Sequence, residues 1–117
     1  MTNKVPAHIQ PYIDTLGEEL GIRFLLAFGG SYAYLSERPQ DRSPVTQLIG
    51  ADAHMRLAAR VGSGSLRIPL AKPFIARSFK DKGWTVNAIA RHLHASDVAV
   101  RGWLKDRDDR QLSLFNS

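Results

Sequence analysis

Residues 85–104 read TVNAIARHLHASDVAVRGWL, and this stretch constrains the chain more than any other. Thr85 is placed to cap a helix start after a break at Gly83. Ile89, Ala90 and Leu93 then recur at helical spacing and predict an inward face. Ala90 is small enough to let two helix backbones approach. Ser96 is a second N-cap candidate, with Asp97 near the positive end of the helix that follows. Val100 and Leu104, four apart, predict the seam of that second helix, with Trp103 shielding it. Two short helices about a turn at His94 and Ala95 make a helix-turn-helix, although the turn lacks the glycine often found there. The same pattern is also met by a plain three-helix bundle with a solvated basic face.

Such a device places its second helix in the major groove of double-stranded DNA. Its outward positions would be Asp97, Val98, Arg101 and Gly102, with Lys105 just beyond. Arg101 is the candidate base reader, because arginine meets guanine with two hydrogen bonds. Val98 suits a thymine methyl, while Asp97 can accept from cytosine or cap its own helix. Lys80, Lys82, Arg91, His92 and Lys105 are candidate phosphate contacts, which position without reading sequence. Thr85 and Ser96, at the two helix starts, complete the candidate set.

Charge agrees with that placement. Residues 1–55 carry four Lys/Arg against six Asp/Glu, a balance of −2, and residues 56–117 carry twelve against five, a balance of +7. The basic half is the half with the two short helices, as expected where one part meets phosphates and the other meets protein. The length of 117 residues suits one domain or two small units. With no cysteine there is neither a disulfide frame nor a thiolate metal site. No apolar run is long enough to span a bilayer, and MTNKVPAHIQ lacks the apolar segment of a signal peptide, so the expectation is a cytoplasmic, nucleoid-associated protein of a bacterial host.

Catalytic or cofactor chemistry finds little footing, so neither enzyme activity nor any cofactor or metal is expected. His92 and His94 do not share a helix face, and His8 and His54 have no evident partners. Glu18 and Glu19 suit a helix start better than acid–base work. Gly29-Gly30 and Gly62 to Gly64 are not followed by Lys-Ser/Thr and read as helix stops, not a phosphate loop.

The first seventy residues carry a faint duplication. LGEELGIRFLLAFGGSYAYL, from Leu16 to Leu35, resembles IGADAHMRLAARVGSGSLRIP, from Ile49 to Pro69. Gly17 matches Gly50, and Ile22-Arg23-Phe24 matches Met55-Arg56-Leu57. Each unit reads as helix, glycine stop and short strand, the strands being Tyr32 to Leu35 and Leu66 to Ile68. Neither strand is stable alone, so they pair with each other or with a second chain. Ile22, Leu25, Leu26, Phe28, Met55, Leu57 and Val61 are more apolar surface than one small domain readily buries, so a homodimer is expected. The polar, proline-rich SERPQDRSP, Ser36 to Pro44, reads as an exposed loop. Pro69 stops the second strand, and residues 71–82 read as a helix with Phe74, Ile75 and Phe79 buried.

The order of these motifs resembles the Mor transcription activator family of phage middle-gene regulators. The resemblance runs from about Leu16 to Leu104 and is carried by Leu16-Gly17, Phe28-Gly29-Gly30 and Tyr34, then by Leu48 to Pro69, then by the helix-turn-helix. The chain departs from the pattern at Leu35-Ser36, where an aromatic-Ile-Pro ending is usual. The resemblance implies a dimerisation region of helices and a short strand, and a helix-turn-helix on a dyad-symmetric promoter element. It also implies activation through contact with bacterial RNA polymerase. The expected architecture is therefore mainly α with a small β element: 1–70 for dimerisation, 71–105 a three-helix DNA-binding domain, and 106–117 a tail. In that tail Gln111, Leu112, Ser113, Leu114 and Phe115 are similar to the short motif with which bacterial proteins bind the replicative sliding clamp. Two rivals follow: an adaptor that recruits the clamp in replication, and a targeting subunit of a recombination complex.

Overall fold

The computed structural model describes residues 4–105. The fold is mainly helical, with one small antiparallel sheet. The chain divides into two compact units, Val5–Ala71 and, among the described residues, 72–105 together with Lys4. No helix among the described residues is long and apolar enough to cross a membrane.

The first unit holds α1 (Gln10–Leu16), α2 (Glu18–Phe28), β1 (Tyr32–Leu35), α3 (Pro44–Ile49), α4 (Ala51–Val61) and β2 (Gly64–Arg67). α1 and α3 are additions to the helices that the sequence pattern predicts. Each is broken from the next helix by one glycine, Gly17 at φ 82° and Gly50 at φ 89°. A side chain is strained in that backbone region, so glycine sets both breaks. Glu18 and Glu19 occupy the first turn of α2, as their fit to the helix dipole predicts. Ser43 caps α3, its hydroxyl accepting from the Thr46 N–H, and Pro44 follows at the first helical position.

The two strands pair with each other, Tyr32 opposite Arg67 and Leu35 opposite Gly64. β2 runs Gly64–Arg67 rather than the expected Leu66 to Ile68, because the ladder pairs Gly64 with Leu35 and Arg67 with Tyr32. Alternation along β1 points Ala33 and Leu35 inward and Tyr32 and Tyr34 outward. α1 packs on α2 and α4, and α2 and α4 both pack on α3. Phe24, Leu57, Leu35 and Ile68 are wholly buried, and side chains of that size contribute about 1.5–3 kcal/mol each on burial. Ile22 and Leu25 are buried within the same chain, Leu26, Phe28 and Val61 are half-buried, and Met55 stays exposed.

His54, which the sequence leaves without an evident partner, is buried and has two. The Ser36 N–H donates to Nε2 at 3.0 Å, and Nδ1 lies 2.8 Å from the Thr46 hydroxyl. A backbone N–H can only donate, so Nε2 must present its lone pair and Nδ1 carries the proton toward Thr46. The ring thus ties α4 to α3 and to the first residue after β1. Burial lowers its pKa below the ordinary 6.5.

The second unit holds α5 (Lys72–Asp81), α6 (Val86–Leu93) and α7, which is helical from 97 to 105, the last described residue. Pro73 sits in the first turn of α5, where its missing N–H costs nothing. Phe74, Ile75 and Phe79 are buried as the spacing predicts.

Candidate nucleic-acid interface

α6 and α7 are built from caps. The Thr85 hydroxyl accepts from the Ala88 N–H at 3.1 Å, and the Ser96 hydroxyl accepts from the Ala99 N–H at 3.0 Å. Each satisfies one of the orphan donors at its helix start. Both helix ends before them are closed by a paired backbone bond. After α5, the Trp84 N–H reaches the Phe79 carbonyl and the Gly83 N–H reaches that of Lys80, both at 3.0 Å, with Gly83 at φ 94°. After α6, the Ala95 N–H reaches the Ala90 carbonyl at 3.0 Å and the His94 N–H that of Arg91 at 3.4 Å. Both are Schellman turns, which require a left-handed residue at the position after the helix.

In the second turn that residue is His94, at φ 52° and ψ 47°. This replaces the glycine whose absence the sequence shows. A left-handed residue other than glycine costs about 1–2 kcal/mol, and branching at Cβ makes it worse. His94→Val should therefore lower stability by about 1 kcal/mol, while His94→Gly should not lower it. Thermal melts of the two variants check this; equal melting points would remove the turn from the account.

The first Schellman turn explains a cluster that sequence reasoning misses. Its geometry brings residue Trp84 back over Phe79, and the two rings stack at 4.2 Å between centroids and 11°. His92 stands edge-on to both, at 5.3 Å from Trp84 and 5.4 Å from Phe79. The signal was present as an aromatic directly after a helix-ending glycine. The cluster fixes His92 beside Arg91 on the exposed side of α6.

α7 has two unlike faces. Val100 is 0% exposed and Val98 is 73% exposed, two residues along the same helix. Arg101, Gly102 and Lys105 are exposed, while Trp103 and Leu104 are half-covered. Asp97, Val98, Arg101, Gly102 and Lys105 therefore share one outward face, at the spacing one and four residues give. On that face the Arg101 guanidinium lies 2.7 Å from the Asp97 carboxylate, with the side chains 63% and 46% exposed respectively. The cap role considered for Asp97 belongs to Ser96, and Asp97 holds Arg101 instead. An exposed pair one helical turn apart contributes only about 0.3–0.5 kcal/mol. Its consequence is orientation: the guanidinium is held over the first turn of α7 and keeps other N–H donors free of this bond.

Lys80, Lys82, Arg91 and His92 are exposed as well. Residues 72–105 hold seven Lys/Arg against two Asp, a balance of +5, whereas residues 5–71 hold six against six. The described positive charge is thus concentrated in the unit that carries α7. Gln111 to Phe115 lie outside the described residues. Among the described residues no three His, Cys, Asp or Glu side chains come together in a way that could hold a metal ion.

Compared with family models, with curated proteins and with solved structures, the chain matches none.

Proposed function

We propose that this chain is a sequence-specific double-stranded DNA-binding protein of the transcription-regulator type. One observation carries the reading: α7 buries Val100 while Val98, Arg101, Gly102 and Lys105 stay exposed on a cap-started helix within residues 72–105, whose charge balance is +5. A helix of that kind fits the major groove, whose width of roughly 12 Å admits it. Arg101, oriented by Asp97, reads a guanine edge, and Val98 lies against a thymine methyl. Lys80, Lys82, Arg91, His92 and Lys105 meet phosphates, and the Thr85 and Ser96 hydroxyls retain their own protons for a phosphate oxygen. The likeness to the Mor family at Leu16-Gly17, Phe28-Gly29-Gly30 and Leu48 to Pro69 supplies the class, regulator, and bacterial RNA polymerase as the second partner.

The test is binding to duplex DNA across a range of salt. Each phosphate contact adds about one unit to the slope of log affinity against log salt. Arg91→Ala should weaken specific and random duplexes alike and flatten the slope by about one unit. A wild-type protein with no salt-dependent duplex binding would end the DNA reading. An unchanged slope in Arg91→Ala would remove Arg91 from the phosphate set.

A further inference from the structure

The unit 5–71 has a twofold symmetry written into both its sequence and its pairing. An offset of 33 residues carries Gly17 onto Gly50 and Phe24 onto Leu57. The same offset carries α2 onto α4 residue for residue, and α1 and β1 onto α3 and β2 to within one residue. Burial follows the offset. Tyr12 and Val45 are buried, Phe24 and Leu57 are both at 0% exposure, Leu25 and Ala58 at 2%, and Leu35 and Ile68 at 0%.

Repetition alone would leave the two halves free to stack in any way. Their strand register and helix–helix contacts are those of a twofold pair, although β1 packs on α3 and α4 more closely than β2 packs on α1 and α2. Ala33 pairs with Leu66, its own equivalent, and the flanking pairs Tyr32 with Arg67 and Tyr34 with Ser65 exchange when the halves are swapped. A register that maps onto itself in this way has its axis through the Ala33–Leu66 pair. The helices obey the same axis, since α1 meets α4 and α2 meets α3. Arg56 spans the halves, its Nη1 donating to the Thr15 carbonyl at 3.0 Å at the end of α1.

The halves differ where one contact has changed chemistry. In the first, Gly21 lies so near Ile13 that an added methyl would come within 2.8 Å of its Cδ1. In the second, the equivalent positions are His54 and Thr46, joined by a hydrogen bond of 2.8 Å. Close apolar approach serves one half and a polar bridge the other.

In a two-chain assembly with a twofold axis, residue i of one copy meets j of the other, and j meets i. Here that relation is satisfied within one chain. We infer that residues 5–71 are a fused pseudo-dimer and that the protein, in place of the homodimer on a dyad-symmetric site that the Mor resemblance implies, is a monomer presenting a single α7 to an undivided, non-palindromic duplex site. A helix–glycine–helix–strand half needs a second half to pair its strand and to meet the helices that pack across the axis. The chain supplies that second half itself, so the core calls for no other copy. The DNA consequence rests on the reading of α7 as the helix that meets bases; the monomeric state does not.

Sedimentation of the full chain at tens of micromolar should give the monomer mass of 13.0 kDa. Two differently tagged copies, expressed together, should not co-purify. Selection from a random duplex pool should return one asymmetric motif, bound by one chain. A mass twice the monomer, or co-purification of the tagged copies, overturns the fused core as a closed unit. A palindromic motif holding two chains overturns the single-reader arrangement. A monomer that selects no motif leaves the fused core in place and sinks the DNA reading alone.

Discussion

His54→Ala should be among the most destabilising single changes in the first unit, at about 2–4 kcal/mol. Two costs combine in that figure. The Ser36 N–H and the Thr46 hydroxyl lose their common partner, and a part-buried polar group left unpaired costs about 1–3 kcal/mol. The removed ring also leaves a void between α3, α4 and the end of β1, which relaxes only in part. The wild-type protein should show the same contact through pH. Burial holds the His54 pKa below its ordinary 6.5, so the folded state binds the proton more weakly than the unfolded chain. Protonation would also turn Nε2 into a donor facing the Ser36 N–H. The contribution of the ring is therefore complete above about pH 6.5 and is lost as the pH falls from there through the lowered native value. Denaturant unfolding of wild type and His54→Ala between pH 5 and 8 checks both points. The wild type should weaken toward pH 5, and the difference between the two proteins should shrink. A constant difference across that range would mean that the imidazole bridge does not titrate with folding.

The elements legible in the sequence are those whose signals are local. Thr85 and Ser96 declare their helices because a hydroxyl at that position caps the next N–H groups. β1 is legible from Tyr32 to Leu35 because a short extended segment follows the glycine stop at Gly29-Gly30. α1 and α3 are not, since seven and six residues complete barely two turns and show no periodic stripe. The start of β2 is set by its partner across the sheet, and the partners of His54 lie 18 and 8 residues before it, beyond any local pattern. The outward face of α7 was readable from Val98, Arg101 and Gly102. The ion pair on it has a local signal as well, since Asp97 and Arg101 stand four apart. The duplication was readable as sequence similarity. Its twofold geometry required the register, because the same repeats could equally have paired across two chains.

Arg101→Ala should cost about 1–3 kcal/mol of binding at one base pair of the selected site, while binding to random duplex falls far less. The difference between the two duplexes is the informative quantity. A guanidinium that reads a base edge contributes only where that base is present, whereas one that meets phosphate contributes everywhere. The carboxylate beside it makes a second variant decisive. Asp97→Ala removes a negative charge from the face that approaches the duplex and releases the guanidinium from its 2.7 Å bond. General affinity should then rise, since less charge opposes the phosphates, and discrimination should fall, since Arg101 loses its fixed direction. Opposite signs in the two measurements are hard to obtain from damage to the fold, which lowers both. Fluorescence anisotropy with the selected duplex, a one-base variant and a random duplex measures all three quantities at once. Equal losses on every duplex in Arg101→Ala would make Arg101 a phosphate contact. Unchanged discrimination in Asp97→Ala would show that the ion pair does not aim the reader.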